Sequence, residues 1–186
     1  NFYRGFRSWI SELYVADEWN VLPNLQFYVG LRHSLVTAPV EVNGLNTSPY
    51  DKDGNNFSPR FGFAYRGLGD WVFRGSYSIA FGEIFPVTYS QIRFSPPGVQ
   101  AVSVSKDIIL TDPLRGIDVT SASARSALLR FNPDLATPYA HQYNFVWEPG
   151  WSSRWRLQLG YVGSRSHKLL IMWYTNRAHP VADIVQ

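Results

Sequence analysis

The chain has 186 residues, a formal net charge of +3 and no cysteine. This length suits one domain or part of a larger one. The lack of cysteine excludes disulfides, thiolate metal sites and cysteine nucleophiles. The basic residues are scattered rather than clustered, so we expect no nucleic-acid partner.

The composition is rich in aromatic residues and poor in charge. Aromatic residues make up 16% of the chain and charged residues 17%, against about 25% charged residues in ordinary soluble domains. The chain has no run of about 18 apolar residues that would form a transmembrane helix. Two classes fit the aromatic excess: a membrane β-barrel with Trp and Tyr at the headgroup boundary, or an aromatic-rich soluble β-protein such as a carbohydrate binder.

The first predicted hairpin spans 7–34. Apolar and polar residues alternate with the strand period of two on both sides of Leu22-Pro23-Asn24. We interpret that tripeptide as a turn, because Pro cannot donate to a strand ladder and Asn favours bends. A predicted loop, 35–57, follows.

The loop contains the only pattern that resembles a metal site. Asp51, Asp53 and Asn55 have the spacing of the first three oxygen ligands of a calcium loop. The full EF-hand pattern fails, because Asn56 and Gly62 occupy the positions that require Gly and Glu. A looser calcium site is therefore the weaker alternative to a simple Asp-Gly turn.

Two further hairpins are predicted at 58–81 and 139–163, with short turns at 67–70 and 148–153. The long connection between them, 82–138, is interrupted by prolines and is expected to be mostly irregular, with one short helix at 121–131. After Gly163 the sequence becomes loop-like, and the apolar stretch 169–174 is interpreted as a short strand or a loop anchor.

The three short turns lie on one edge of this arrangement and the long loops on the other. Strands of about 9–12 residues cross a bilayer when tilted by about 45°. The predicted fold class is therefore all-β: an antiparallel up-and-down meander of about six strands, forming a segment of a larger transmembrane β-barrel. The smallest such barrels have about eight strands, so further strands are required to close the sheet.

Residue parity assigns each strand residue to one of two faces. The charged residues expected to face the lumen are Glu12, Glu18, Arg32, Arg60, Arg74, Arg154 and Arg156. The aromatic residues expected to face lipid or to form interfacial girdles are Trp19, Phe27, Phe63, Trp71, Phe73, Tyr77, Phe145, Trp147, Trp155 and Tyr161.

No pattern in the chain indicates catalysis. Glu12 and Glu18 lie about 20 Å apart along one strand, too far for a carboxylate pair. No serine occupies a G-x-S-x-G elbow, and the segment 67–70 lacks the Lys-Ser/Thr of a phosphate loop. The histidines lack metal-ligand spacing and are expected in loops or in the pore wall. We expect no enzyme activity, cofactor or resident metal.

Several segments resemble a known family in the same order along the chain. They are WNVLPNL at 19–25, GLR at 30–32, NNFSPRFGFA at 55–64, RGSY at 74–77, NPDL at 132–135 and GYVGSR at 160–165. Together these segments are similar to the barrel of Oar-like TonB-dependent receptors, the large outer-membrane transporters.

The resemblance implies a bacterial outer-membrane barrel of about 22 strands filled by a plug, which imports bulky ligands with energy passed on by TonB. The implied partners are outer-membrane lipid, the remainder of the barrel and its plug, and the TonB system. Cross-strand Glu–Arg pairs on the lumen side would hold the wall and contact the plug. The chain lacks a recognisable TonB box, plug and closing aromatic strand, so we expect it to be a piece of barrel wall.

Two alternatives remain at this point. One is a soluble or surface β-sandwich that binds carbohydrate or protein through its long loops. The other is an accessory structural component of a larger membrane complex. A dry core of Phe27, Val29, Phe63 and Phe73 between two sheets would indicate the sandwich.

Overall fold

The computed structural model describes residues 4–94, 109–112, 115–116, 129–151 and 154–174. The elements, in chain order, are β1 Phe6–Arg7, β2 Ile10–Leu22, β3 Leu25–Val36, β4 Val40–Glu41, β5 Asp53–Arg66, a 3-10 turn Leu68–Asp70, β6 Val72–Phe81, α1 Pro86–Ser90, a 3-10 turn Gln91–Phe94, β7 Tyr139–Glu148 and β8 Leu159–His167.

Six of these strands form one antiparallel sheet in the order β2-β3-β5-β6-β7-β8. The order follows the chain, which confirms the predicted up-and-down meander of six strands. The sheet is open, and β2 and β8 are its edges within the described residues. The short strands β1 and β4 pair separately with each other, an element that the sequence pattern did not indicate.

Two of the three predicted short turns are confirmed. Pro23 and Asn24 alone connect β2 to β3. The Asn24 side chain donates to the carbonyl of Arg66 (2.8 Å), which holds this turn against the end of β5. The β5–β6 turn contains Gly69 at φ 75°, a left-handed conformation that glycine adopts without strain. We call this edge of the sheet the turn end and the opposite edge the loop end.

The register keeps each face consistent across all six strands. One ladder row runs Trp19, Phe27, Phe63, Gly75, Phe145 and Tyr161. The row on the opposite face runs Ala16, Gly30, Arg60, Ser78, Gln142 and Ser164. Because side chains alternate along every strand, the sheet has one aromatic face and one polar face.

The aromatic face is not covered by a second layer in the part of the chain that the structure describes. Val29 is 41% exposed and Phe61 43% exposed, and the buried hydrophobic residues among those described are Tyr50 and Tyr89, both outside the sheet. A soluble sandwich buries this face between two sheets. The described part of the chain therefore lacks the two-sheet core that the sandwich alternative requires.

The ladder between β5 and β6 stops short of the loop end. It extends from the Arg66–Val72 pair to the Arg60–Ser78 pair. The residues of β6 beyond this point, Ile79 to Phe81, pair with β7 alone. On β5 the next residue is Pro59, which has no N–H to donate.

The third hairpin differs from the prediction. Strand β8 begins at Leu159 and continues to His167, whereas the predicted strand began near Arg154 and ended near Gly163. The connection between Glu148 and Leu159 is therefore longer than the predicted turn at 148–153. The stretch 169–174 belongs to no strand or helix.

The loops also differ from the prediction. Strand β3 reaches Val36 and β5 begins at Asp53, so the first loop is shorter than 35–57. Helix α1 begins with Pro86, a residue that suits the first turn of a helix because its missing N–H is not needed there. The predicted helix at 121–131 falls mostly outside the described residues. Among those described, no helix is long and apolar enough to cross a membrane.

Candidate functional site

The polar face contains a hollow of about 360 Å³ over β2, β3 and β5. Its floor is formed by Ala16 and Gly30, which are ladder partners with almost no side chain. Larger polar and aromatic side chains surround this floor. The main ones are Glu12, Tyr14, Tyr28, Arg32 and Arg60.

An ion pair lies at one side of the hollow. The guanidinium of Arg32 contacts the carboxylate of Glu12 on the neighbouring strand, and Ser34 also donates to that carboxylate (3.2 Å). The side chain of Arg60 has no hydrogen bond or ion pair among the described residues. The hollow therefore contains one neutralised pair and one available guanidinium, which suits the binding of an anionic or strongly polar group.

Further polar contacts cross the strands towards the turn end. Arg74 on β6 pairs with Glu148 on β7 at 3.0 Å. The side chain of Gln26 donates to the carboxylate of Glu18. In the Glu12–Arg32 and Arg74–Glu148 ion pairs, every side chain is more than 30% exposed. These two pairs therefore fix local geometry and add little stability.

The structure brings five of the seven predicted lumen-facing charges to the polar face. They are Glu12, Glu18, Arg32, Arg60 and Arg74. Arg154 and Arg156 are the exceptions, because they precede β8 and belong to no strand. Tyr14 and Tyr28, which line the hollow, were not singled out as site residues, although parity alone places them there.

Most of the predicted aromatic residues lie on the apolar face. Trp19, Phe27, Phe63, Phe73, Tyr77, Phe145, Trp147 and Tyr161 occupy ladder rows of that face. Trp71 precedes β6, and its ring packs against Trp147 at 5.7 Å. Trp155 lies in the connection before β8 and is 80% exposed, so its assignment to a strand was wrong.

At the turn end of the sheet, the ring of Trp147 contacts both Trp71 and Trp151. Leu25 and Leu35 bound the apolar face of β3 and lie about 33 Å apart along the strand. At a tilt of about 40° this distance spans about 25 Å, the height of the apolar band of an outer-membrane barrel.

Three histidines occupy a face that was not expected for them. His33, His141 and His167 pair in ladder rows with Phe57, Ile79 and Tyr139 and so lie on the apolar face, at its loop end. The expectation was a position in loops or in the pore wall, whereas these three histidines lie within strands, on the apolar face and next to the loops. Their even spacing from the aromatic residues Phe27, Tyr143 and Tyr161 on the same strands was the signal that would have placed them correctly.

At the loop end, the buried carboxylate of Glu41 organises β4. It accepts hydrogen bonds from the backbone N–H groups of Leu45 (2.7 Å), Asn43 (3.0 Å) and Gly5 (3.1 Å). Burial alone would raise the pKa of Glu41, but these three bonds and the charge of Arg4 outweigh it and hold the pKa below its ordinary value. Glu41 therefore fixes the N-terminal segment against the first loop as a carboxylate.

A second loop-end contact, which we call the clasp, joins Asp53 and Asn56 of β5 to Thr137. The Thr137 N–H donates to the carboxylate of Asp53 (2.9 Å), and the side chain of Asn56 donates to the Thr137 hydroxyl (3.3 Å). Asn56 is 1% exposed. The clasp thus ties the start of β5 to the segment that enters β7.

The clasp uses one of the candidate calcium ligands. The Asp53 carboxylate accepts from the N–H groups of Thr137 and Asn55, while Asp51 is exposed. Within the described ranges, no group of three or more His, Asp or Glu side chains is placed to hold a metal ion. This geometry gives the calcium hypothesis no support.

An aromatic cluster packs beside the clasp. Tyr50 contacts Tyr89 of α1 at 6.0 Å and Phe131 at 6.3 Å, and Phe6 of β1 contacts Tyr89 at 5.6 Å. Burial, together with the neighbouring Tyr89, raises the pKa of Tyr50 to about 12. Four sequence-distant segments thus meet at the loop end, where they form the main buried apolar contacts of the described chain.

An open antiparallel sheet with one uncovered aromatic face and one polar face that contains ion pairs is the wall of a membrane β-barrel. Comparison with known families agrees with this class. The family model described as an outer membrane beta barrel domain matches residues 37–185, and the chain belongs to that family. No curated protein and no solved structure matches the chain.

The matched range contains β4 to β8. Strands β2 and β3 precede the matched range and continue the same ladder with the same face alternation. The whole six-strand sheet is therefore outer-membrane barrel wall, and family membership places the chain in a membrane.

Proposed function

We propose that this chain is part of the wall of a TonB-dependent receptor of the bacterial outer membrane, which takes up a bulky ligand through the barrel lumen. The observation that carries the proposal is the polar hollow beside Arg60, on the face opposite the aromatic one. In this proposal the chain binds and transports, and it catalyses no reaction.

The open edges of the sheet support a larger barrel. An unpaired strand edge exposes N–H and C=O groups, and each one left unsatisfied in lipid costs several kcal/mol. Strands β2 and β8 therefore require partner strands. A barrel of about 22 strands has a lumen wide enough for a plug and a bulky ligand, whereas about eight strands leave room only for side chains.

The resemblance to Oar-like receptors supports the finer assignment. The segments 19–25, 30–32 and 55–64 that carry it fall on β2, β3 and β5, the strands that form the hollow. Arg60 lies within the NNFSPRFGFA segment itself. In the proposed receptor, Arg60 and the Glu12–Arg32 pair face the plug or the passing ligand.

The test uses the full-length barrel protein that contains this chain, folded in detergent and mixed with the purified periplasmic domain of TonB. A stable complex on size-exclusion chromatography, lost when the receptor's TonB-contacting segment is deleted, is the expected result. A folded, heat-modifiable barrel that binds no TonB domain would contradict TonB-dependent uptake. It would not contradict the assignment of the chain to a barrel wall.

The open edges also fit the accessory-component alternative, in which other polypeptides complete the sheet. The mass of the purified barrel in detergent separates the two assignments. A single polypeptide large enough for the whole barrel is expected for the receptor. A barrel built from several different chains would favour the accessory component.

A further inference from the structure

The apolar face carries a group of basic and aromatic side chains at the loop end of β6, β7 and β8. We call it the basic-aromatic patch, and its members are Tyr77, Tyr139, His141, Arg165, His167 and Lys168. The row of His141 and Arg165 and the row of Tyr139 and His167 are the last two rows before the loops. The patch therefore lies where the apolar band meets the polar loops.

Contacts within the patch hold its rings in place. The Tyr77 hydroxyl and His141 Nδ1 are 2.6 Å apart. The rings of Tyr139 and His167 stack at 5.1 Å, and His141 meets His167 edge-on at 5.2 Å. When the Tyr77 hydroxyl donates to Nδ1, the proton of His141 sits on Nε2, which then serves as a hydrogen-bond donor.

The charge of the patch is not neutralised. Lys168 lies over the Tyr139 ring at 5.7 Å, and Arg165 is the ladder partner of His141. Neither side chain has an acidic partner among the described residues, where the two ion pairs lie on the polar face. A cation on the lipid side of a barrel is costly unless it lies near the interface and meets an anion.

The turn end of the same face has no comparable group. Its rows contain Trp and Phe. The charged residue of this face nearest to them is Asp17, which lies in the middle row with Phe61 and whose carboxylate accepts from the Trp19 indole N–H. Positive charge on the apolar face is thus confined to one membrane interface. In outer-membrane barrels the long loops are extracellular, so this interface belongs to the outer leaflet.

We propose that the basic-aromatic patch binds the phosphate group of a phosphorylated lipid headgroup in the outer leaflet. Arg165 supplies a planar fork of donors, Lys168 a mobile point charge, and His141 and His167 further donors at the headgroup level. Tyr139 places its ring at the headgroup boundary, as interfacial aromatic residues do, and the hydroxyl of Tyr77 reaches His141 from the middle of β6. This lipid site goes beyond the uptake function and does not depend on TonB.

The probe is the full-length barrel protein that contains this chain, titrated in detergent with bisphosphorylated lipid A and read by native mass spectrometry. Dephosphorylated lipid A and inorganic phosphate are the comparison ligands. The test variant is the double change Arg165→Gln with Lys168→Gln. The matched control is Arg66→Gln, which removes a cation from the polar face at the turn end.

We expect tight binding of the phosphorylated lipid and weak binding of both comparison ligands. A cation near a charged membrane surface contributes about fivefold in affinity, so the double variant should bind about 25-fold more weakly. Arg66→Gln should stay within about twofold of the unmodified protein, since its side chain faces the lumen.

Equal binding of the dephosphorylated lipid would overturn the proposal, and so would unchanged affinity in the double variant. Displacement of the lipid by millimolar inorganic phosphate would show a free-anion site instead of a lipid site. Heat-modifiable mobility verifies that each variant folds. If the double variant fails to fold, Lys168→Gln alone replaces it, because Lys168 follows β8 and makes no ladder pair; about fivefold weaker binding is then expected.

Discussion

Gly150 determines, at the level of a single residue, how two turns pack at the turn end. A Cβ on this residue would overlap with the carbonyl oxygen of Gly69 and lie 2.8 Å from the Cβ of Asp70. Both neighbours belong to the turn between β5 and β6, whose backbone is constrained by positive φ angles at these two residues. Close approach of the two connections thus requires glycine at position 150.

The change Gly150→Ala should destabilise the barrel by about 1–3 kcal/mol, because backbone rather than a flexible side chain must move. The measurement is the urea midpoint of the full barrel folded in lipid vesicles. Gly160→Ala is the control, since a Cβ there would lie 3.7 Å from Val146, an ordinary contact. Equal midpoints for both variants would show that the two turns do not press on Gly150.

The face of the sheet on which a residue lies could be predicted wherever the ends of its strand were predicted correctly. The face of Phe63 and that of Arg60 follow from parity alone. Arg154 and Trp155 were misplaced because the alternation of aromatic and polar residues continues beyond the end of the ladder. Strand β7 ends at Glu148 before Pro149, so residues upstream of Leu159 have no partner strand there.

Among the elements, β4 and its buried carboxylate give the loop end a dependence on pH. The folded-state pKa of Glu41 lies below the ordinary value of 4.5. The contribution of Glu41 to the stability of the loop end is therefore complete above pH 4.5. The contribution is lost as the pH falls from there through the folded-state pKa.

Amide protection factors at Gly5, Asn43 and Leu45 should therefore be high near neutral pH and fall in acid. Hydrogen exchange read by mass spectrometry follows the peptides that contain these amides. Glu41→Gln should lower protection at every pH and flatten the dependence, because one acceptor oxygen becomes an NH₂ donor. Glu83→Gln, a change at an exposed loop residue, should leave the amide protection and its pH dependence unaltered. Amide protection in the wild-type protein that does not fall in acid would refute this role for Glu41.

The loop-end elements could not have been predicted from sequence pattern. The clasp joins Asp53 to Thr137, and the aromatic cluster joins Tyr50 to Phe131, across long separations along the chain. Strand period and turn residues describe neighbours in sequence, and they carry no information about which loops meet. The five-residue helix α1 is likewise too short to show a helical period.

For the molecule as a whole, the aromatic face should contact lipid. Phe61→Arg places a charge near the middle of that face and should cost about 2–4 kcal/mol. Phe61→Leu keeps the site apolar and separates the loss of the ring from the gain of charge. Gln26→Arg lies on the polar face beside the Glu18 carboxylate and should cost little. The measurement is the urea midpoint of each variant folded in lipid vesicles. Equal losses of stability in Phe61→Arg and Gln26→Arg would contradict a wall with one lipid-facing and one lumen-facing side.

The incomplete ladder between β5 and β6 divides the sheet mechanically. From the turn end to the Arg60–Ser78 pair it is one continuous plate of six hydrogen-bonded strands. Beyond that line it forms two leaves of three strands, β2-β3-β5 and β6-β7-β8, which can bend about it separately. The clasp bridges the leaves, since Asp53 stands on one and Thr137 leads into the other. The Asp51 N–H also donates to the carbonyl of Pro133, and Tyr50 packs on Phe131, so loops carried by different leaves can move apart only when the clasp and these contacts open together.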